Sequence, residues 1–476
     1  MHTFVNYRLT LLYILIILTA SACEKAVEIK SSRNELATGS VFNSEKTARG
    51  AVSGIYSSMM APNNFSSGGN SSLSLLAGLS ADEFQGTAAF LQYFGKNDIP
   101  SDNATNRVSI WAPVYNYIYQ ANIAIEGITN STGLTLQVKN QLIGEAKFLR
   151  AFCYFYLVNL YGNVPLTTNS DYNLNRLLPR SDANAVYNQI VDDLNAARDL
   201  LPENFNGYRF ERVQPIKLAA TALLARVWLY RQNWEAAERE ASAVINNTVD
   251  ISLVNDLDGV FNKRSKEAIW QLMPVIPLYN AYEYSTFYFS ASQVPSVYLD
   301  ANLSNSFEPG DQRKAKWINT VLSTVDNKTY SGPNKYRGPA QVTIMTEYSV
   351  VLRLAEQYLI RAEARLQLNK LTGTNSAESD INIIRNRAGL GRTPAASKSE
   401  LMMALENECR HELFSEWGHR WFDLKRWPAL TGSFKNRADE VLSAIKPTWQ
   451  STDVLYPIPL QDLLNNPNLK PQNEGY

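Results

Sequence analysis

The 476-residue chain is poor in the residues that most reaction chemistry needs: it holds three histidines and three cysteines. Three cysteines cannot form a disulfide framework. Cys153 and Cys409 each stand alone, with no partner at zinc-ligand spacing, which reads most simply as two buried free thiols. His411 is followed by Glu412, but Ser415 occupies the position four residues on, so the two-histidine face of an HExxH site is absent. His419 lies about two helical turns further along. Charge of one sign is also missing, with 45 Lys and Arg against 45 Asp and Glu. That balance gives a basic nucleic-acid surface or an acidic tail no compositional support. No Gly-x-Ser-x-Gly elbow, Walker loop or dinucleotide fingerprint occurs. Acidic pairs such as Asp82-Glu83 and Glu406/Glu408 exist, but carboxylates at such spacing arise in any long chain and do not by themselves define a glycosidase. Neither a cofactor nor a metal is expected.

Long hydrophobic runs are scarce too. The apolar stretch at residues 9–18 is short of the ~20 residues a spanning helix needs. Arg8 precedes it and Ala20, Ser21 and Ala22 close it, the layout of a secretory signal peptide over residues 1–22. Cys23 follows at once, as in a bacterial lipobox, although Ala20 stands where that box usually carries Leu. Acylation of Cys23 would hold the chain on a membrane by lipid, each buried methylene contributing ~0.8 kcal/mol. The polar stretch 23–40 then reads as a tether, and residues 41–476 as one folded domain.

What the chain has in quantity is aromatic side chains, including 25 Tyr and nine Trp. Three helical blocks carry many of them. Residues 111–128 place Trp111, Val114, Tyr115, Ile118, Ile125 and Ile128 mostly at three-or-four spacing. Residues 138–162 continue the pattern and stop at Gly162, before Pro165. The second block, 183–200 and 216–247, combines small Ala219, Ala220, Ala225, Ala237 and Ala241 with Leu223, Leu224, Val227, Trp234 and Val244. It resembles a tetratricopeptide unit of ~34 residues. A partial second instance spans 351–369, followed by a helix at 377–388. The expected fold class is therefore mainly α: tetratricopeptide-like helix pairs in an α-α superhelix, with an irregular, loop-rich lobe packed on them. That lobe is residues 250–347, rich in Pro and without helical period. Residues 61–106 form a second irregular, Gly/Ser-rich stretch, and the Pro- and Asn-rich segment 451–476 is expected to run extended along the surface.

The sequence LENECRHELFSEWGHRWFDLKRW at 405–427 resembles the C-terminal signature of SusD/RagB outer-membrane lipoproteins. Glu408, Arg410, Glu412, Phe414, Glu416, Gly418, His419, Arg420, Trp421, Phe422, Asp423, Leu424, Arg426 and Trp427 match it, while His411, Ser415 and Trp417 depart. Further similarity runs in order along the chain at 44–56, 79–84, 115–126, 150–166, 353–365 and 381–390, and in LYPIP and the terminal QNEGY. The resemblance implies a nutrient-binding lipoprotein of the outer membrane, facing the cell exterior, that captures a neutral oligosaccharide, or in some branches a peptide. It further implies delivery to a SusC-like TonB-dependent barrel as partner, with no catalysis and no nucleic acid.

Sites for neutral glycans combine exposed aromatic platforms with hydrogen-bonding edges. The aromatic clusters at 278–289 and 89–98 answer that description, and Tyr93, Asn97, Tyr279, Tyr282 and Tyr284 are the candidate ligand residues. Glu412, Arg420, Trp421, Asp423, Arg426 and Trp427 are assigned instead to a structural clamp, since Asp423 and Arg426 fall at i, i+3 on a helix whose Trp side chains can pin it. Two competing functions remain: a helical-repeat adaptor for protein partners, and a surface hydrolase.

Overall fold

A computed structural model describes residues 40–208 and 211–476. The signal peptide, Cys23 and nearly all of the tether lie outside the described residues. Walking the chain, helices α1 (Glu45–Met59) and α2 (Leu73–Ser80) precede strand β1 (Phe84–Gly86) and helix α3 (Ala89–Gly95). Then come α4 (Ala112–Asn130), α5 (Leu136–Tyr161), α6 (Ala183–Leu200), α7 (Lys217–Tyr230) and α8 (Trp234–Ile245). The irregular lobe supplies β2 (Ala268–Leu272), α9 (Tyr282–Phe287), β3 (Val297–Leu299), β4 (Ile318–Leu322) and β5 (Thr329–Pro333). Strand β6 (Ser349–Arg353) leads into α10 (Leu354–Gln367), α11 (Ala377–Arg387), α12 (Lys398–Leu413) and α13 (His419–Arg426).

The long helices stack in a chain of neighbours, α1 on α4, α4 on α5, α5 on α6, α6 on α7, α7 on α8, α8 on α10, α10 on α11 and α11 on α12. This is the superhelix of helix pairs that the periodicity predicts. Local chemistry marks its boundaries. Side-chain caps come from Ser44, Thr135, Asp182 and Asn233, and capping boxes from Ser376 with Ser379 and Ser397 with Glu400. Pro113 sits in the first turn of α4, directly after a π-helical turn at Asn106–Trp111. Gly162 ends α5 at φ +70°, a conformation that disfavours a Cβ. The five alanines of the second block are fully buried, which lets α7, α8 and their neighbours approach closely.

Among the described residues, strands enter as three antiparallel pairs, β1 with β3, β2 with β6, and the hairpin β4–β5. The first two fasten the lobe to distant segments. Two expectations are corrected. The Gly/Ser-rich stretch contains α2, whose eight residues are all buried. The segment expected along the surface instead enters the core: Tyr456 and Ile458 are fully buried, and the Tyr456 N–H donates to the Leu160 carbonyl at 2.8 Å. It also carries a short helix, Leu460–Asn465.

Candidate functional site

The β1–β3 ladder brings the two aromatic clusters onto neighbouring elements. Phe84 of β1 stacks on Phe287 of α9, with ring centroids 5.1 Å apart and an interplanar angle of 15°. Helix α3 follows β1 directly and exposes Phe90 and Tyr93, the latter 44% accessible, while Leu91 and Phe94 face the core. On α9 and just after it, Tyr284 and Tyr288 stack at 4.7 Å and 17°, and Tyr288 is 53% exposed. Burial raises the Tyr284 phenol pKa above its ordinary value, and Tyr288 adds to the effect; the pair is a stacking surface with hydroxyl edges. Tyr279 is half-buried against the core, and its backbone bridges to Gln341.

Asn97 and Tyr282 sit differently. Asn97 is buried at φ +55°, and its Oδ1 accepts a 2.6 Å hydrogen bond from Lys446. Tyr282 is only 6% exposed. Both side chains are therefore turned away from solvent. Tyr288, the exposed ring stacked on Tyr284, lies in the 278–289 cluster but is not among the candidates chosen from it. Its signal was the four-residue spacing from Tyr284, which puts two rings on one helical face only if residues 282–287 are read as a helix rather than a loop.

The C-terminal signature is an interior structure. Gly418 opens α13 in the left-handed conformation, φ +71°, and packs so closely on α2 that a Cβ would lie 2.6 Å from that of Ala77. Arg420 donates to Asp82 at 2.7 and 3.0 Å and to Glu406 at 2.9 Å. Burial pushes the Asp82 carboxyl up, but the Arg420 and Arg410 guanidinium groups outweigh it and hold the group well below the usual range. Arg426 pairs with Asp423 at 2.7 Å and with Glu363, which also accepts the Trp427 indole N–H at 3.0 Å. Trp421 is fully buried and meets Trp449 edge-on.

Glu412 is the centre of a larger cluster. It accepts from Arg353 at 2.6 Å, from Arg313 at 3.1 Å and from Arg387. Arg353 also reaches Glu416 at 2.7 Å and Glu267 at 3.0 Å. Burial works against the Glu412 anion, but Arg387, Arg353 and Arg313 prevail and lower its pKa strongly. Lys335, from the irregular lobe, donates to the Glu412 and Phe414 carbonyls at 2.8 Å and lies 4.1 Å from the Phe414 ring centroid. Burial brings its pKa down to about 8. His411 is sequestered as well, 2.7 Å from the Ser306 hydroxyl and stacked on Phe307 at 4.3 Å. No group of three or more His, Cys, Asp or Glu suited to a metal exists among the described residues. Cys153 and Cys409 are free and buried.

A superhelix of helix pairs, an interior ionic clamp, and aromatic rings displayed on irregular segments together define a helical-repeat scaffold protein. The SusD family model matches residues 228–476, and a second model, described as starch-binding associating with outer membrane, matches residues 50–229. The chain belongs to the SusD family, whose members are glycan-binding proteins of polysaccharide utilisation without catalytic activity. It is 26% identical to SusD-like protein P25 of Formosa agariphila, across 98% of this chain and 99% of that one. Among solved structures, a SusD superfamily protein from Bacteroides vulgatus superposes with TM-score 0.78 at 20% identity, covering 91% of this chain and 99% of the other. A laminarin-binding SusD-like protein superposes with TM-score 0.73 at 24% identity, covering 91% and 100%. No helix of the described residues is long and apolar enough to cross a membrane.

Proposed function

We propose that this protein is a cell-surface nutrient-binding lipoprotein that captures neutral oligosaccharides on the aromatic face formed by Tyr93, Tyr279, Tyr284 and Tyr288. It delivers them to a SusC-like TonB-dependent outer-membrane transporter and is held at the membrane by acyl chains on Cys23. The observation that carries the reading is the stacked, solvent-facing Tyr284–Tyr288 pair on the element bound to the Tyr93 segment through Phe84 and Phe287. Two adjacent rings offer a platform to the apolar face of a sugar, and their hydroxyls serve its edge. The laminarin bound by one structural relative is a neutral glucan, in keeping with that surface. Asn97, bonded to Lys446, and Tyr282, packed in the core, hold the segments that carry these rings.

Titrating the full chain in detergent with laminarin, starch and their oligosaccharides by calorimetry tests the capture step. Saturable binding without product release is expected; turnover, or silence with every glycan, would refute it. Delivery is tested by co-purification of a barrel protein from native outer membranes. Fatty-acid labelling that disappears in Cys23→Ser tests the anchor.

A further inference from the structure

A second groove lies away from that aromatic face, between the start of α4, the segment after Pro165, and the helix Leu460–Asn465. Its volume is about 420 Å³, within the ~300–1,000 Å³ range of small-ligand sites. The floor is rigid. Trp111 meets Tyr161 edge-on at 4.9 Å and tilts against Tyr115 at the same separation, and the Tyr115 hydroxyl is spent on the Pro165 carbonyl at 3.0 Å. The walls are open: Tyr119 is 41% and Tyr172 70% exposed, and neither makes a ring contact with another aromatic among the described residues.

Polar edges converge on the same space. The Asn175 Nδ2 donates to the Asn169 carbonyl at 2.8 Å, which fixes the amide, while its Oδ1 is shielded from water and accepts no hydrogen bond. Asp171 holds this turn by accepting from the Asn173 and Leu174 amides. The Asp462 carboxylate lining the groove is neutralised by Arg107 at 2.7 Å, and Arg176 at the rim makes no ion pair among the described residues. An unpartnered buried acceptor is costly unless a donor reaches it. Two exposed phenol rings beside a paired Arg107–Asp462 wall and the Arg176 guanidinium suit a ligand with flat apolar faces and hydroxyls at its rim.

We infer that this groove, lined by Tyr119, Tyr172, Asn175 and Arg176 over Trp111, is a second binding site for a neutral oligosaccharide. The inference rests on the reading of the chain as a glycan-binding protein. The two sites share one backing. Trp111, Tyr161, Tyr456 and Phe94 touch ring to ring at 4.9, 6.2 and 5.7 Å, so the groove floor and the buried side of α3 belong to one aromatic spine. A flexible polymer held at two fixed points gains avidity without new contacts.

The test is binding stoichiometry, measured on the full chain in detergent with trisaccharides of laminarin and of starch. Two molecules per chain are expected. Tyr119→Ala with Tyr172→Ala should reduce this to one, each ring being worth about two- to twelvefold in affinity, and Tyr93→Ala with Tyr288→Ala should leave the groove site filled. Both pairs are exposed, and circular dichroism of the variants checks that they fold. One molecule per chain, lost in the Tyr93/Tyr288 variant and unchanged in the Tyr119/Tyr172 variant, would overturn this inference and leave the proposed function standing. Occupation of the groove by peptide to the exclusion of glycan would also overturn it. Silence of the unaltered chain with every glycan would remove both readings.

Discussion

The ionic clamp around Glu412 and Arg420 and the aromatic face around Tyr284 and Tyr288 use costly side chains in opposite ways. In the clamp, Arg353, Arg313, Arg387 and Lys335 are taken out of water and matched to carboxylates and carbonyls on other elements. On the face, large rings are left in water with few polar partners. Buried ion pairs add little net stability over apolar packing, yet removing one partner is severe. They therefore specify which elements meet, here α12 and α13 with the irregular lobe and α2. The most exposed rings, Tyr93 and Tyr288, contribute little to the packing and leave a face open to a ligand. A motif rich in charge and tryptophan is thus an internal fastening, while the rings proposed for recognition lie on short elements of the irregular segments.

The largest effect that could break this contrast is at Glu412. Glu412→Gln leaves Arg353, Arg387 and Arg313 facing an uncharged amide, and a loss of about 3–5 kcal/mol is expected in chemical denaturation. Retained stability would mean the cluster does not fasten the lobe. Arg420→Ala should cost less, roughly 2–3 kcal/mol, because Asp82 keeps Arg410 and Glu406 keeps Arg437; Asp423→Ala should be milder still, since Arg426 retains Glu363. Glycan affinity of the folded fraction should be unchanged in both. Unaltered melting with lost binding would move the signature from scaffold to ligand site.

A pH titration sharpens the contrast within the interior. Glu83 is buried; burial, with the Asp82 charge beside it, pushes its carboxyl from an ordinary 4.5 to about 8. Below pH 4.5 the folded and unfolded chains both hold this proton; between there and about 8 only the fold holds it. The group's contribution to stability therefore falls as pH rises across that window, by up to about 1.4 kcal/mol per unit. Glu83→Gln should gain on the unaltered chain from pH 5 to 8, and melting curves that stay parallel would exclude the neutral carboxyl. The smallest structural effect belongs to Tyr288→Ala, within about 0.5 kcal/mol of the parent in denaturation, with glycan affinity reduced about two- to twelvefold. Equal affinity would detach the aromatic face from capture.

The superhelix was legible because its helices are long and amphipathic or alanine-studded, and residues 183–200 fall within the same bounds in sequence and structure. Helix α2 was not, because LSLLAGLS is buried all round and has no polar face to reveal a period. Counting Pro and Asn misplaced residues 456–458, whose burial depends on partners such as Leu160 and Ser80 far away in the chain. The candidate site divided on the same ground. Which tyrosines belong to the aromatic clusters could be read directly, whereas the burial of Asn97 depends on Lys446, some 350 positions later, and no local pattern announces it.

The anchoring of residues 456–473 has a consequence in time. Asn473 donates to the carbonyls of Tyr161 and Tyr456, and Arg180 reaches Asn473 and the Pro471 carbonyl. The pocket at the end of α5 thus waits for a plug synthesised about three hundred residues after it. During export and folding the early helices can coil and pair, but that core stays open until the late segment arrives, and pairing across so long a separation is slow. A chain interrupted before Tyr456 would carry its helices and still present a wet interior.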